Sequence, residues 1–340
     1  MRFRLIDTGL NKPSMNMAID EALLTSKLPV LRFYGWKPAG LSIGYFQSTK
    51  NFNLKNLKKH NVDLVRRPTG GNAVLHDKEV TYSFIIDEKE MPKSIVESYK
   101  MISKGLLQGL KNLGLNAAMN ENVEKGEKSA VCFNDTSWYE IIVNGKKIVG
   151  SAQKRVNGKL LQHGAILIDT DVEKYCSLFN NCNKELINKV KQRMTSINDE
   201  LKKIANKNPN NKNGFDGFLL TQKTLRDTPT GATPVTPRHC CWGFNKRKNP
   251  AMAETGGGLF RRKPPVGHFL YSKKCPSPAM DGWIFSKKIN YQIVKQAMIK
   301  GFKKELNINF EESKLTKEEL KLAKKLESNK YSTSKWNFAR

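Results

Sequence analysis

Two Asn-Gly pairs, Asn144-Gly145 and Asn157-Gly158, each stand between short runs of alternating apolar and polar residues. Asn-Gly is the pair best suited to a two-residue hairpin turn, because both central positions of that turn need φ > 0. The spacing predicts a three-strand meander within residues 129–169. Pairing Val143 with Lys146 across the first turn sets Lys147 opposite Ile142. A meander of this kind needs a core on at least one face, so the chain must build a sheet and something to cover it.

Cys132 lies just before the meander, in a polar stretch with Asn134, Asp135, Thr136 and Ser137. Thiolate is the reactive form of cysteine, and a nearby cation such as the Lys147 ammonium favours it over the thiol. That is the chemistry of an acyl carrier. The alternative is a small buried hydrophobe, the commoner fate of a lone cysteine. Lys147 meets Cys132 only if residues 132–137 fold back toward the sheet.

The chain has 340 residues, 39% of them hydrophobic, enough for one large domain or two small ones. No run of 18 apolar residues occurs, and MRFRLIDTGLNKPSMNM lacks the apolar core of a signal peptide, so a cytoplasmic protein with no membrane association is expected. Its six cysteines show no framework spacing, which fits free thiols in a reducing compartment. A formal net charge of +28 would suit nucleic acid, but the lysines are diluted among asparagine and isoleucine, a compositional bias rather than a binding stripe. A basic surface equally suits acidic protein partners.

Along the chain, a strand is expected at Phe3 to Ile6, then a helix starting near Ser14 with that hydroxyl as its cap. Residues 30–48 read as two aromatic strands, with Gln47 at the end of the second and able to orient a ligand. Residues 63–86 place Gly70-Gly71 between two β-rich runs, where backbone N–H groups can come close to a ligand. Arg66 and Arg67 precede that turn and could grip a phosphate or carboxylate. His76 and His163 each read as a base or as a satisfied polar residue. A helix over 95–115 ends at Gly114, mixed helical segments fill 170–206, and two charged amphipathic helices span 290–328.

Residues 207–285 differ from the rest. Eight of the 14 prolines fall between Pro229 and Pro278, with three glycines at 256–258 and two basic clusters. Such punctuation argues against long elements. His239, Cys240, Cys241, His268 and Cys275 lack zinc-site spacing, so no metal is expected. The expected organisation is one domain made of 1–206 plus 286–340, interrupted by a loosely structured insert at 207–285 that acyl transfer does not need.

RRPTGGNAVLH, Cys132 before SWYEI, NGKKIVGSAQ, LQHGAIL and KYSTSKWNFAR, in that order, resemble the octanoyltransferases of the LipM type within the biotin and lipoate protein ligase superfamily. The resemblance covers about 1–205 and 287–340. It implies an α+β fold, a mixed sheet flanked by helices, related to the catalytic domain of class II aminoacyl-tRNA synthetases. It implies Cys132 as the site of an acyl thioester and Lys147 as the group that lowers its pKa. Arg67, Gly70, Gly71 and His76 would line the acyl pocket, with Gln162, His163 and Gly164 on an opposing strand. The implied reaction carries octanoyl from octanoyl-acyl carrier protein to the lysine of a lipoyl domain such as glycine cleavage H protein, in a monomer without a cofactor. Two alternatives remain open: an ATP-dependent lipoate-protein ligase, which needs no cysteine nucleophile, and an inactive relative that binds nucleic acid or serves as a scaffold through its basic insert.

Overall fold

A computed structural model describes residues 1–120, 140–207 and 289–339, all within a compact unit formed by Met1–Asp227 and Lys288–Arg340. Cys132 and, apart from Lys207, the segment expected as an insert lie outside the described residues. The first stretch runs β1 (Arg2–Asn11), α1 (Pro13–Ala22), β2 (Val30–Trp36), β3 (Ala39–Ile43), α2 (Leu54–Lys59), β4 (Val62–Arg66), β5 (Val74–His76), β6 (Glu79–Asp87), α3 (Ile95–Asn112) and β7 (Ala117–Met119). The second holds β8 (Ile141–Val143), β9 (Lys146–Val156), β10 (Lys159–Leu167), α4 (Val172–Ser177), α5 (Lys184–Arg193) and α6 (Ile197–Lys207). The last holds α7 (Tyr291–Leu306), β11 (Asn309–Ser313), α8 (Lys317–Leu326) and α9 (Ser334–Asn337).

Among the described residues these strands form an eight-stranded mixed sheet, ordered β11-β1-β2-β6-β10-β9-β8-β7, and a three-stranded sheet, β4-β3-β5. The expected meander is present. Val143 pairs with Lys146 and Ile142 with Lys147, and the turn residues Asn144, Gly145, Asn157 and Gly158 all have φ between 50° and 75°. The central strands β2 and β6 are buried on both faces, and their near-continuous apolar sequences reflect it. One face of the large sheet packs Phe3, Phe33, Tyr82 and Phe84 against Ile102, Leu106, Met298 and Phe302 of α3 and α7. The other packs Ile6, Tyr34, Ile85 and Leu161 against Met17 and Ala18 of α1 and Ala323 of α8. The fold is the expected α+β arrangement.

Three local expectations are corrected. Ser14 does not cap α1: Lys12 is the N-cap residue, Pro13 opens the helix, and the Ser14 hydroxyl donates to Glu327 at 2.9 Å. A proline there starts a helix through its fixed φ, without a capping side chain. Gln47 lies in the turn beyond β3, where its side-chain oxygen accepts the Gly44 N–H at 3.0 Å. Within the span expected as two charged helices, five residues instead form β11, which pairs in parallel with β1 at the edge of the sheet. Gly114 does follow α3 as expected, with φ 81°. Among the described residues no helix is long and apolar enough to cross a membrane.

The α3–α7 contact depends on three glycines. A Cβ on Gly301 would stand 2.3 Å from the Gly105 carbonyl oxygen and 2.5 Å from the Gly109 nitrogen, both backbone atoms of α3. Gly301→Ala must therefore push the helices apart, at a cost of about 1–3 kcal/mol. The expected result is a lower midpoint in thermal unfolding followed by circular dichroism; an unaltered midpoint would show that the two helices are not held at this distance.

Candidate active site

A cavity of about 110 Å³ opens between the two sheets. Met17 of α1 and strands β2, β9 and β10 form one wall; Ser42, Val74, His76 and the loop with Arg67, Gly71 and Asn72 form the other. Of the residues expected in the acyl pocket, Arg67, Gly71, His76, His163 and Gly164 line it together. Gly70 and Gln162 do not. The Gly70 carbonyl instead accepts from Arg67 Nε and Nη2 at 3.2 and 2.6 Å. Gln162 precedes His163 on β10 and so points to the opposite face, where its amide donates to the Tyr82 hydroxyl at 2.9 Å. Lys147 is buried outside the lining, its Nζ 2.5 Å from Glu140 Oε1, and Glu140 itself lines the cavity.

His163 belongs to a buried network centred on Asp20 of α1. Asp20 Oδ1 accepts from Arg32 Nη1 at 2.5 Å and Ser83 Oγ at 2.6 Å, while Oδ2 accepts from the Tyr34 hydroxyl at 2.9 Å. The His163 Nδ1 stands 2.9 Å from the same Oδ2 and its Nε2 2.7 Å from Thr69 Oγ1. A carboxylate only accepts, so Nδ1 carries the proton and Nε2 accepts from Thr69. Burial by itself would raise the Asp20 carboxyl, but Arg32, His163 and Ser83 together hold it below its ordinary value. Burial pulls His163 down from its ordinary 6.5, against the pull of Asp20, with Arg67 and His76 adding to the fall. The imidazole is therefore neutral.

A second chain of hydrogen bonds holds His76. Its Nδ1 lies 2.6 Å from Glu79 Oε1 and its Nε2 2.8 Å from Ser42 Oγ. Thr81 Oγ1 donates to the same Glu79 oxygen at 2.5 Å and accepts from Trp36 Nε1 at 2.7 Å. The Trp36 ring stacks on the imidazole, centroids 4.0 Å apart and planes within 10°.

The neighbouring arginines have different roles. Arg66 is 1% exposed and donates to the carbonyls of Gly44, Tyr45 and Gln47 at 2.7 to 3.1 Å. It also donates to the Trp336 and Asn337 carbonyls, while Trp336 Nε1 donates to the Arg66 carbonyl at 2.8 Å. Arg66 thus binds backbone and fixes α9 against β4, so the expected ligand grip does not extend to it. Arg67 donates to the Ser42 carbonyl at 3.0 Å and to the Asn72 carbonyl at 2.9 Å, shaping the turn that carries Gly71.

Sequence reading missed Asp20, Arg32, Ser42, Thr69, Glu79 and Glu140. A signal existed for the first two: Arg32 interrupts the apolar strand VLRFYGW, and Asp20 sits on the apolar face of α1. Two opposite charges at positions that must be buried call for each other. Among the described residues no group of three or more His, Cys, Asp or Glu is placed to hold a metal ion.

Residues 12–210 match the family of lipoyl protein ligase A/B catalytic domains. Octanoyltransferase LipM of Geobacillus kaustophilus is 36% identical over 353 aligned residues, spanning 99% of this chain and 98% of that protein. The chain belongs to the LipM octanoyltransferase family. It is an acyltransferase. LipM of Bacillus subtilis is 43% identical over 235 residues, 64% of this chain and 84% of that protein. In LipM of Halalkalibacterium halodurans the figure is 49% over 193 residues, 52% of this chain and 70% of that protein. The fold also matches a solved bipartite lipoate protein ligase from an archaeal lipoylation system of Thermoplasma acidophilum, with TM-score 0.64 and 21% identity over 99% of this chain and 96% of that one. A lipoate-protein ligase A bound with ATP superposes with TM-score 0.63 and 22% identity, covering 99% of each chain. At these identities the structural likeness concerns the fold alone.

The lowered pKa of His163 has a sign that can be tested. Its folded value lies below the unfolded 6.5, so the unfolded chain takes up the proton first; stability is full above about pH 6.5 and declines as pH falls toward the folded value. Asp20 adds a loss of the same direction below its ordinary 3.8. Chemical denaturation at pH 7.5 and 5.5 should show lower stability at pH 5.5, and His163→Gln should flatten that difference. An equal slope in the variant would remove His163 as its source.

Proposed function

We propose that the chain transfers octanoyl from octanoyl-acyl carrier protein to the lysine of a lipoyl domain, such as that of glycine cleavage H protein, through a thioester on Cys132. Family membership supports the acyl group, and one observation of the site supports the residue. Glu140 lines the cavity and takes the Lys147 ammonium, and Cys132 stands eight positions before it in sequence. The described chain thus resumes at the cavity wall, eight positions after Cys132. The net charge of +28 suits two acidic protein partners in succession.

Two steps divide the transfer. The Cys132 thiolate attacks the thioester carbonyl of the donor and expels the carrier's thiolate, leaving octanoyl on sulfur. The acceptor lysine, as a free amine, then attacks that carbonyl, forms the amide and returns Cys132 to thiolate. No nucleotide is required, because the donor is already activated. In the alternative reading, an ATP-dependent ligase, free octanoate would be the substrate; the LipM relatives are octanoyltransferases, which favours the thioester donor.

Lys147 acts in this scheme as one half of a buried pair. Deleting it removes a cation from the scheme while the buried Glu140 carboxylate stays, and both disfavour thiolate.

Incubation of the full chain with octanoyl-acyl carrier protein should add one octanoyl group to Cys132, seen by intact mass and removed by neutral hydroxylamine. Undiminished transfer by Cys132→Ala would overturn the assignment, and labelling of a lipoyl domain from octanoate plus ATP, with the thioester donor inert, would establish the ligase reading instead. For Lys147→Ala, the pH profile of iodoacetamide labelling at Cys132 should move to higher pH; Glu140→Gln in the same chain should bring part of that shift back. An unmoved profile would remove Lys147 from the role.

A further inference from the structure

We propose that Ser42, His76 and Glu79 form a second acyl-transfer centre that hydrolyses medium-chain acyl thioesters within the same cavity. The proposal rests on the reading above for the substrate class, but on none of the same residues.

Ser42 and His76 both line the cavity, while Glu79 lies behind them, and all three are buried. With Glu79 ionised and the His76 imidazole neutral, the directions of the hydrogen bonds follow. Glu79, as a carboxylate, can only accept, so His76 Nδ1 carries the proton at 2.6 Å. In that form Nε2 keeps its lone pair and accepts from the Ser42 hydroxyl 2.8 Å away. The free lone pair of Ser42 Oγ accepts from Arg67 Nη1 at 3.3 Å, which puts a positive charge beside an oxygen about to lose its proton. A nucleophile within reach of a base, and that base oriented by a third group, is the arrangement that activates a serine.

The ring is also held in plane. Trp36 stacks on it at 4.0 Å, and the Trp36–Thr81–Glu79 hydrogen bonds hold the carboxylate that orients it. A histidine required only to satisfy Ser42 needs neither constraint.

The reaction balances with water as its only co-reactant. Ser42 Oγ attacks the thioester carbonyl carbon; the new C–O bond forms as the C–S bond breaks, and the hydroxyl proton passes to His76 Nε2 and then to the departing sulfur. Water next attacks the acyl ester carbon and gives its proton to the same nitrogen, which returns it to Ser42 Oγ. The products are a thiol and a carboxylic acid. Glu79 touches no substrate and is a positioning residue.

The test uses the full chain carrying Cys132→Ala, with octanoyl-pantetheine as substrate, and reads free thiol and octanoate. Release should persist in this protein and fall on the order of 100-fold or more on adding Ser42→Ala or His76→Asn. Glu79→Gln should lower the limiting rate without altering the substrate concentration at half-saturation. Octanoate release unaffected by Ser42→Ala would overturn the proposal. A fluorophosphonate probe gives a reading that needs no variant: in the unaltered chain it should form an adduct that peptide mass spectrometry places on Ser42, and its absence there would also overturn the proposal. An acyl group on sulfur yields to neutral hydroxylamine far sooner than one on serine oxygen, so failure at Ser42 and failure at Cys132 remain distinguishable.

Discussion

The Arg32–Asp20 ion pair underlies the architecture around the cavity. Both side chains are wholly buried, one on the central strand β2 and the other on α1, with Nη1 and Oδ1 2.5 Å apart. Neither charge could sit there alone, since an isolated ion in a dry interior costs several kcal/mol even after relaxation. Each therefore fixes the position of the other, and with it the seating of α1 on the sheet. Asn16 adds to the fit, accepting from Arg32 with both its side-chain and main-chain oxygens at 2.8 and 3.1 Å. The network then reaches across β10 to His163 and, through Thr69, to the opposing loop, so a single carboxylate sets both walls of the cavity relative to each other.

Such a network accounts for the character of the site. Ser42, His76, Thr69 and His163 are polar groups in a buried place, and each has its partners. Fully satisfied polar networks rigidify a core rather than weaken it. Beside these and the polar side chains of Arg67, Asn72, Thr81, Glu140 and Ser151, the lining carries the apolar Met17, Val74, Ala152 and Ala165, a surface on which an aliphatic chain can lie.

What could be read from the sequence was mostly local. The meander register followed from two Asn-Gly turns, because a turn of fixed length leaves one pairing. The end of α3 followed from Gly114. The pocket residues came through the resemblance, and five of the seven line one cavity, while Gln162 faces away simply because strand neighbours alternate. What stayed hidden is long-range. Asp20 and Arg32 are twelve residues apart in sequence yet belong to a helix and a strand whose packing no local pattern specifies. β11 escaped notice because FEES carries no strand signal of its own; it becomes a strand only where β1 offers an edge. Cys132 lies outside the described residues, so its role rests on sequence and family.

The fold is stitched across very long sequence distances. β1 takes β11 as its outer neighbour, Arg4 pairs with Glu319 across 315 residues, and Arg66 meets Asn337 across 271. Closing loops of that length must precede the contacts that reward it, which slows folding relative to a protein of local contacts. During synthesis, the outer edge of β1 and the Arg4–Glu319 pair must wait until residues near 310 to 320 leave the ribosome. Throughout that interval the nascent sheet has an open edge, the part of any β protein most prone to pair with the wrong chain.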